Sequence, residues 1–271
     1  KEDFKAATTI INNYQMIISQ MQENKQIDSF DNFIPFSDSI FISSKEKPSF
    51  LIELSRFIKY SFQYVANSFI IKKNIENPFD VPVSTGKIID GKPTFVTEIE
   101  KWYPPLFRGG VAYGEITEVP ALMIDNNEKK VFKNLFGNAV VSAYLLEQTV
   151  KGPRIIIDDN LMSNPNIDKS LVFKSFDSDR HELYWPLWNC NEDVDFSFNN
   201  EIWQLLEISI LLWKAFNHFE VSMQYYNFIK LITKGFTRFY ENDPVKHKTA
   251  KENVLSTLEL NNLLDKKDDL I

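Results

Sequence analysis

The chain has one cysteine, three histidines and eight glycines in 271 residues. The single Cys190 excludes an internal disulfide framework and any cysteine-built zinc site. His181, His218 and His247 are too far apart for ligand spacing, so a metal would have to rest on oxygen ligands. A basic balance is also missing. With 37 acidic against 30 basic residues, the formal charge of −7 argues against affinity gained by neutralising phosphates, so neither a nucleic acid nor an anionic membrane is expected as partner. The longest apolar stretch, Leu205–Phe216, is interrupted by Glu207 and Lys214 and is shorter than the roughly 20 apolar residues of a membrane span. The opening Lys1-Glu2-Asp3-Phe4 has no apolar leader, so a cytoplasmic location is expected.

Aromatic residues are plentiful. Twenty-three Phe, 10 Tyr and 5 Trp can bury a core large enough to exclude disorder as the dominant state. Apolar residues at three-to-four spacing predict helices over 3–24 and from Ser49 to about Phe69. Between them, Phe30–Phe36 and Ser39–Ser44 flank Ser37-Asp38 and predict a hairpin with an acidic tip. Residues 74–105 hold five of the twelve prolines and read as an excursion with a small hairpin around Asp90-Gly91. Further on, strands are expected over Leu106–Gly114, Arg154–Asp158, Leu171–Phe176 and Glu182–Trp188. A helix is expected near 137–150, and helices from about Asn199 onward with a break at Pro244. Single helices among strands suggest an α+β fold with a mixed sheet covered by helices.

Two local features suggest chemistry. Four of the eight glycines fall in Arg108-Gly109-Gly110-Val111-Ala112-Tyr113-Gly114 and at Gly137. Paired glycines in a strand weaken it, which points either to a bulge at a sheet edge or to bare backbone that lets a nucleotide approach. Asp38 is either a turn former or a carboxylate that grips a cation. Tyr184, Trp185 and Trp188 read as core, and Lys266-Lys267-Asp268-Asp269 as a solvated helix end.

Taken in order, Phe36-Ser37-Asp38-Ser39-Ile40, Leu106-Phe107-Arg108-Gly109-Gly110-Val111-Ala112-Tyr113-Gly114-Glu115, Phe136-Gly137-Asn138-Ala139 through Glu147, and Gly152-Pro153-Arg154-Ile155-Ile156-Ile157 resemble the class III nucleotide cyclases, and most of all the bacterial Pycsar pyrimidine cyclases. The likeness spans roughly residues 3–190. It implies a ferredoxin-like catalytic domain over 1–195, a helical extension over 196–271, and a homodimer with its active site between two copies. It further implies a nucleoside triphosphate substrate, CTP or UTP, cyclised to a second messenger in anti-phage defence. Two divalent cations, Mn²⁺ or Mg²⁺, are implied on two Asp residues. Asp38 matches the second; the first, carried in the superfamily on a strand before the first helix, has no counterpart in residues 1–271, so either that strand precedes Lys1 or the protein lacks it and does not bind metal in the usual way.

The resemblance also assigns other positions. The purine-reading Lys and Asp of the superfamily fall on Ile34 and Asn134, and Asn134 has both a donor and an acceptor for a different base. The transition-state Asn and Arg fall on Val141 and Leu145. Arg108 is the candidate cation toward the phosphates, with an ion pair to Glu115 or Glu118 as the structural alternative; Arg154 is a second candidate, with a salt bridge as its alternative. Tyr113 stacks on a base or fills a dimer seam, and Gly109 and Gly110 line the substrate. A catalytically silent cyclase-like domain that binds a nucleotide or a partner, and a scaffold with no chemistry, are the rival readings.

Overall fold

A computed structural model describes residues 14–36, 39–45, 47–72, 80–89, 91–101, 106–125, 128–189, 201–217 and 221–271. Asp38 and the expected helical residues 3–13 lie outside this set. The chain is α+β and divides into two compact units, Lys1–Leu106 and Phe107–Ile271.

The first unit is organised by one ring. Helix α1 (14–23) and helix α2 (Phe50–Lys72) flank the hairpin of β1 (Asn32–Phe36) and β2 (Ser39–Ser43). Its strands pair from Asn32↔Ser43 to Phe36↔Ser39. On α2 the buried positions Phe50, Leu51, Leu54, Phe57, Ile58 and Phe62 recur every three to four residues, as an amphipathic helix requires. Phe57 takes edge contacts from Tyr14, Phe30 and Phe33, with centroids 6.4, 6.3 and 5.5 Å away. It thereby ties both helices to the hairpin.

The expected excursion is larger than a small hairpin. Strands β3 (Asp80–Ile89) and β4 (Lys92–Lys101) pair in register over their whole length, from Asp80↔Lys101 to Ile89↔Lys92, and with no other strand among the described residues. Gly91 sits in the turn with φ +73°, a backbone region that glycine enters without steric cost.

The second unit holds a four-stranded mixed sheet, in the order β5 (Gly109–Val111), β8 (Ile155–Ile157), β10 (His181–Leu183), β9 (Val172–Lys174). Strands β5 and β8 are parallel, and the chain joins them through helix α3 (Asn138–Glu147). Before α3 comes a second long hairpin, β6 (Thr117–Asp125) with β7 (Glu128–Phe136), in a stretch where the sequence predicts no strand. Helix α4 (Asp159–Met162) follows β8.

The C-terminal helices share a core with this sheet. Trp185 stacks on Phe228 at 5.1 Å, and its indole N–H donates to the Pro153 carbonyl at 2.9 Å. The side chains of Ile156, Leu183, Tyr184 and Trp185 are buried, as expected for Tyr184 and Trp185, whereas Trp188 is half-buried. Helices α5 (Glu201–Ala215) and α6 (Ser222–Phe239) pack together, followed by α7 (Pro244–Leu260) and a short α8 (Lys267–Leu270). Pro244 opens α7, and the Asp243 side chain caps it by accepting from the Val245 and Lys246 N–H groups, the arrangement P at N1 favours.

Candidate functional site

The expected site residues of the second unit lie around β5 and α3. Gly110 is in β5, and a Cβ there would stand 2.2 Å from the Ala143 carbonyl oxygen and 2.7 Å from Leu146 Cβ. The bare side of Gly110 is therefore turned to α3, which the glycine admits at close range. A Cβ at Gly109 would meet Ile155 Cδ1 at 3.1 Å. Both bare faces point into protein, so packing accounts for the glycine pair.

Gly137 turns the chain from β7 into α3 with φ +142°, where a Cβ would fall 2.1 Å from the Glu115 carbonyl oxygen. A Cβ at Gly114 would lie 2.4 Å from Asn138 Oδ1. These two close approaches seat the 113–115 loop against the start of α3. Tyr113 is exposed on that loop, while Asn134 is half-buried on β7 opposite Val119. The structure thus sets the loop that carries Tyr113 at the α3 N-terminus, while Asn134 lies three residues before Gly137 on β7.

Arg108 leads into β5, and its Nε donates to Glu147 Oε1 at the end of α3. The ion-pair partner is neither Glu115 nor Glu118, the two considered from the sequence. Val141 and Leu145 are exposed on α3, at 58% and 59%. With Tyr144, 60% exposed, they give the helix an apolar outer face.

Arg154 is committed elsewhere. Its Nε and Nη2 donate to the two carboxylate oxygens of Glu182 at 2.8 and 2.7 Å, and Nη1 and Nη2 donate to Asp177 at 2.6 and 2.8 Å. Nη2 also donates to Ser175 Oγ at 2.6 Å, and the guanidinium carbon lies 4.1 Å from the Phe176 ring centroid. Burial opposes its charge, but the hydrogen bonds to Glu182 and Asp177 outweigh burial and hold the guanidinium protonated. The Asp177 carboxyl is held below its ordinary value, chiefly by its hydrogen bonds from Arg154. Arg154 is thus the centre of a buried structural network, with Nε, Nη1 and Nη2 all bonded to the carboxylates of Glu182 and Asp177.

His181 begins β10, with Nδ1 3.6 Å from Asp159 Oδ1. Among the described residues, no group of three His, Cys, Asp or Glu side chains could hold a metal ion. Of the carboxylates near β5 and α3, Glu147 is taken by Arg108. The described residues do not fit a two-cation centre, and Asp38, the expected ligand, lies outside them. No described helix is long and apolar enough to cross a membrane.

Sequence reasoning missed Glu147 as the partner of Arg108, although it closes one of the quoted motifs. It also missed Asp177, Glu182 and Ser175 around Arg154. Comparison with known protein families, with curated proteins and with solved structures finds no match for the chain.

Proposed function

We propose that the chain is a nucleotide cyclase that converts a pyrimidine nucleoside triphosphate, CTP or UTP, into its 3′,5′-cyclic monophosphate. The ribose 3′ oxygen bonds to the α-phosphorus, its proton leaves, and the bond to the departing diphosphate breaks. The observation that carries this reading is the order of four cyclase-like motifs. Three of them fall on β5, α3 and β8, with the β6–β7 hairpin, which carries Asn134, inserted between β5 and α3. On this reading the unit is the ferredoxin-like core of the class, and the active enzyme is a homodimer. Asn134 reads the base edge, Tyr113 stacks on the base, and Arg108 leaves Glu147 to face the phosphates. Asp38 is the carboxylate that would hold Mn²⁺ or Mg²⁺, and a bound cation would neutralise charge on the departing diphosphate.

The test is to incubate the protein with each of the four nucleoside triphosphates and Mn²⁺ and to identify products by mass. A cyclic pyrimidine monophosphate, lost in Asp38→Asn while the oligomeric state persists, is the expected result. Full activity in Asp38→Asn refutes the assignment of that residue, and no cyclic product from any triphosphate refutes the enzyme.

A second reading has its own support. Both candidate cations, Arg108 and Arg154, are engaged by carboxylates, and Val141 and Leu145 replace the polar groups of the helix. This combination favours a silent cyclase-like domain that binds a nucleotide. In that case a triphosphate raises the melting temperature without being consumed.

A further inference from the structure

The β3–β4 ribbon exposes large apolar residues: Ile88 is 80%, Phe95 82% and Ile99 64% accessible. A lone two-stranded hairpin is marginally stable in water, so an apolar face of this kind calls for a cover. We infer that the ribbon is an arm that pairs face to face with the same ribbon of a second copy of this chain.

The register defines that face. Pro82 and Pro93 have no N–H to give the ladder, which places the rows Pro82↔Ile99 and Ile88↔Pro93 at its non-hydrogen-bonded positions. By alternation Ser84↔Thr97 and Gly86↔Phe95 belong with them. The 3.4 Å approach of Ser84 Oγ to Thr97 Oγ1 agrees, because side chains come closest in such rows. One face therefore carries Ile88, Pro93, Phe95, Thr97 and Ile99. The opposite face carries Ile89 together with the charged residues Lys87, Lys92 and Glu98, and Lys87 is paired to Glu98.

The mode of pairing follows. The outward backbone groups of each edge belong to these same rows, and each edge has one proline gap in its donors. Edge-to-edge addition of another strand is thereby blunted, which leaves the flat face.

The occupant follows from the rows themselves. Each sets unlike residues side by side: Phe95 beside Gly86, Ile88 beside Pro93, Thr97 beside Ser84, Ile99 beside Pro82. A two-fold axis along the ribbon lays β3 of one copy over β4 of the other. Phe95 then covers the gap at the partner copy's glycine, and bulky positions meet smaller ones, which is how facing layers fill space. The register pair Asp80↔Lys101 lies in the same series, so the axis also sets an acidic position over a basic one. A perpendicular two-fold axis would instead lay β3 over β3 and β4 over β4, which loses the match of Phe95 to Gly86 and of Asp80 to Lys101.

This inference stands apart from the cyclase reading, since a catalytic dimer formed through another surface would keep its affinity and activity when the ribbon is altered. Sedimentation equilibrium of the whole chain gives the first measurement. Phe95→Asp is expected to weaken the dimer by at least about tenfold, the effect of removing a central aromatic contact. Gly86→Val is the second variant. It adds a strand-favouring residue where a Cβ meets only Phe95 Cε1 at 3.9 Å, so the single ribbon tolerates it while the partner's Phe95 is displaced and the dimer weakens. The third measurement places one cysteine at the tip, Lys92→Cys in a Cys190→Ser background, and adds a short bis-maleimide. A covalent dimer is expected, because an axis along the ribbon brings the two tips together. A monomeric parent, or a dimer whose affinity neither Phe95→Asp nor Gly86→Val changes, overturns the inference. A ribbon-dependent dimer that gives no cross-link at residue 92 overturns the axis.

Discussion

Arg154 grips both carboxylate oxygens of Glu182 from a position where the arginine side chain is 4% exposed and the glutamate side chain 0%. The residues belong to neighbouring segments, Arg154 just before β8 and Glu182 in the middle of β10, opposite Ile156. Pairs of this kind gain little over an apolar replacement, yet losing one partner strands the other charge. Arg154→Met is therefore expected to cost about 3–5 kcal/mol in chemical denaturation. The double variant Arg154→Met/Glu182→Leu is expected to recover most of that loss. A double variant as unstable as the single one would show that the pair contributes more than the relief of stranded charge.

Gly110 and Gly109 are neighbours with different roles. A Cβ at Gly110 would collide with the Ala143 backbone carbonyl, which cannot move without shifting α3, whereas a Cβ at Gly109 meets only the mobile end of Ile155. Gly110→Ala is expected to destabilise by about 3 kcal/mol, the upper part of the overpacking range, and Gly109→Ala by about 1 kcal/mol or less. Thermal melts of the two variants side by side check the order. Equal losses would mean that α3 is not held against β5 as described.

The helices and the β1–β2 hairpin were legible because each has a clear period. Phe50, Leu54, Phe57 and Phe62 mark one helical face, and the apolar runs on either side of Ser37-Asp38 mark two strands. The β6–β7 hairpin was hidden because Pro120 interrupts one strand and Lys129, Lys130 and Lys133 dilute the apolar pattern of the other. Pro82 and Pro93 likewise disguised two full-length strands, since proline normally argues against a strand unless it lies at an edge. The partners of Arg154 lie 23 and 28 residues further along the chain. They meet it through the sheet register, which composition does not encode. The direction of the bare side of Gly110 is set by where α3 docks, also a tertiary fact. Asp38 was singled out for its chemistry from the sequence alone.

Glu53, in the first turn of α2, accepts from Ser29 Oγ at 2.6 Å, the Ser29 N–H at 2.9 Å and the Asp28 N–H at 3.0 Å. Burial pushes its carboxyl upward, but these donors outweigh burial and hold it below the ordinary value of 4.5. A depressed folded-state value means stability that is present above the unfolded value and is lost as pH falls through the folded one. The first unit is therefore expected to weaken on acidification below about pH 4.5. Glu53→Gln is expected to lower stability near neutral pH by about 2 kcal/mol, the worth of hydrogen bonds to a charged group, and to flatten the acid slope. Hydrogen exchange at the Asp28 and Ser29 amides, followed from about pH 6 down to about pH 2.5, reads the effect locally. An unchanged slope in the variant would remove Glu53 as its source.

Arg108 and Glu147 form a half-exposed ion pair between the entry to β5 and the end of α3. Pairs of this exposure contribute about 0–1 kcal/mol, so Arg108→Gln and Glu147→Gln are both expected to melt close to the parent. On the proposed cyclase function their effects on turnover separate. If Arg108 leaves Glu147 to face the phosphates, Arg108→Gln removes the cation and abolishes cyclic product. Glu147→Gln instead frees the cation from its competitor and raises turnover or lowers KM. Equal turnover in Arg108→Gln and the parent would assign Arg108 to the ion pair alone. The neutralisation of the diphosphate would then have to come from a residue other than Arg108 or the buried Arg154.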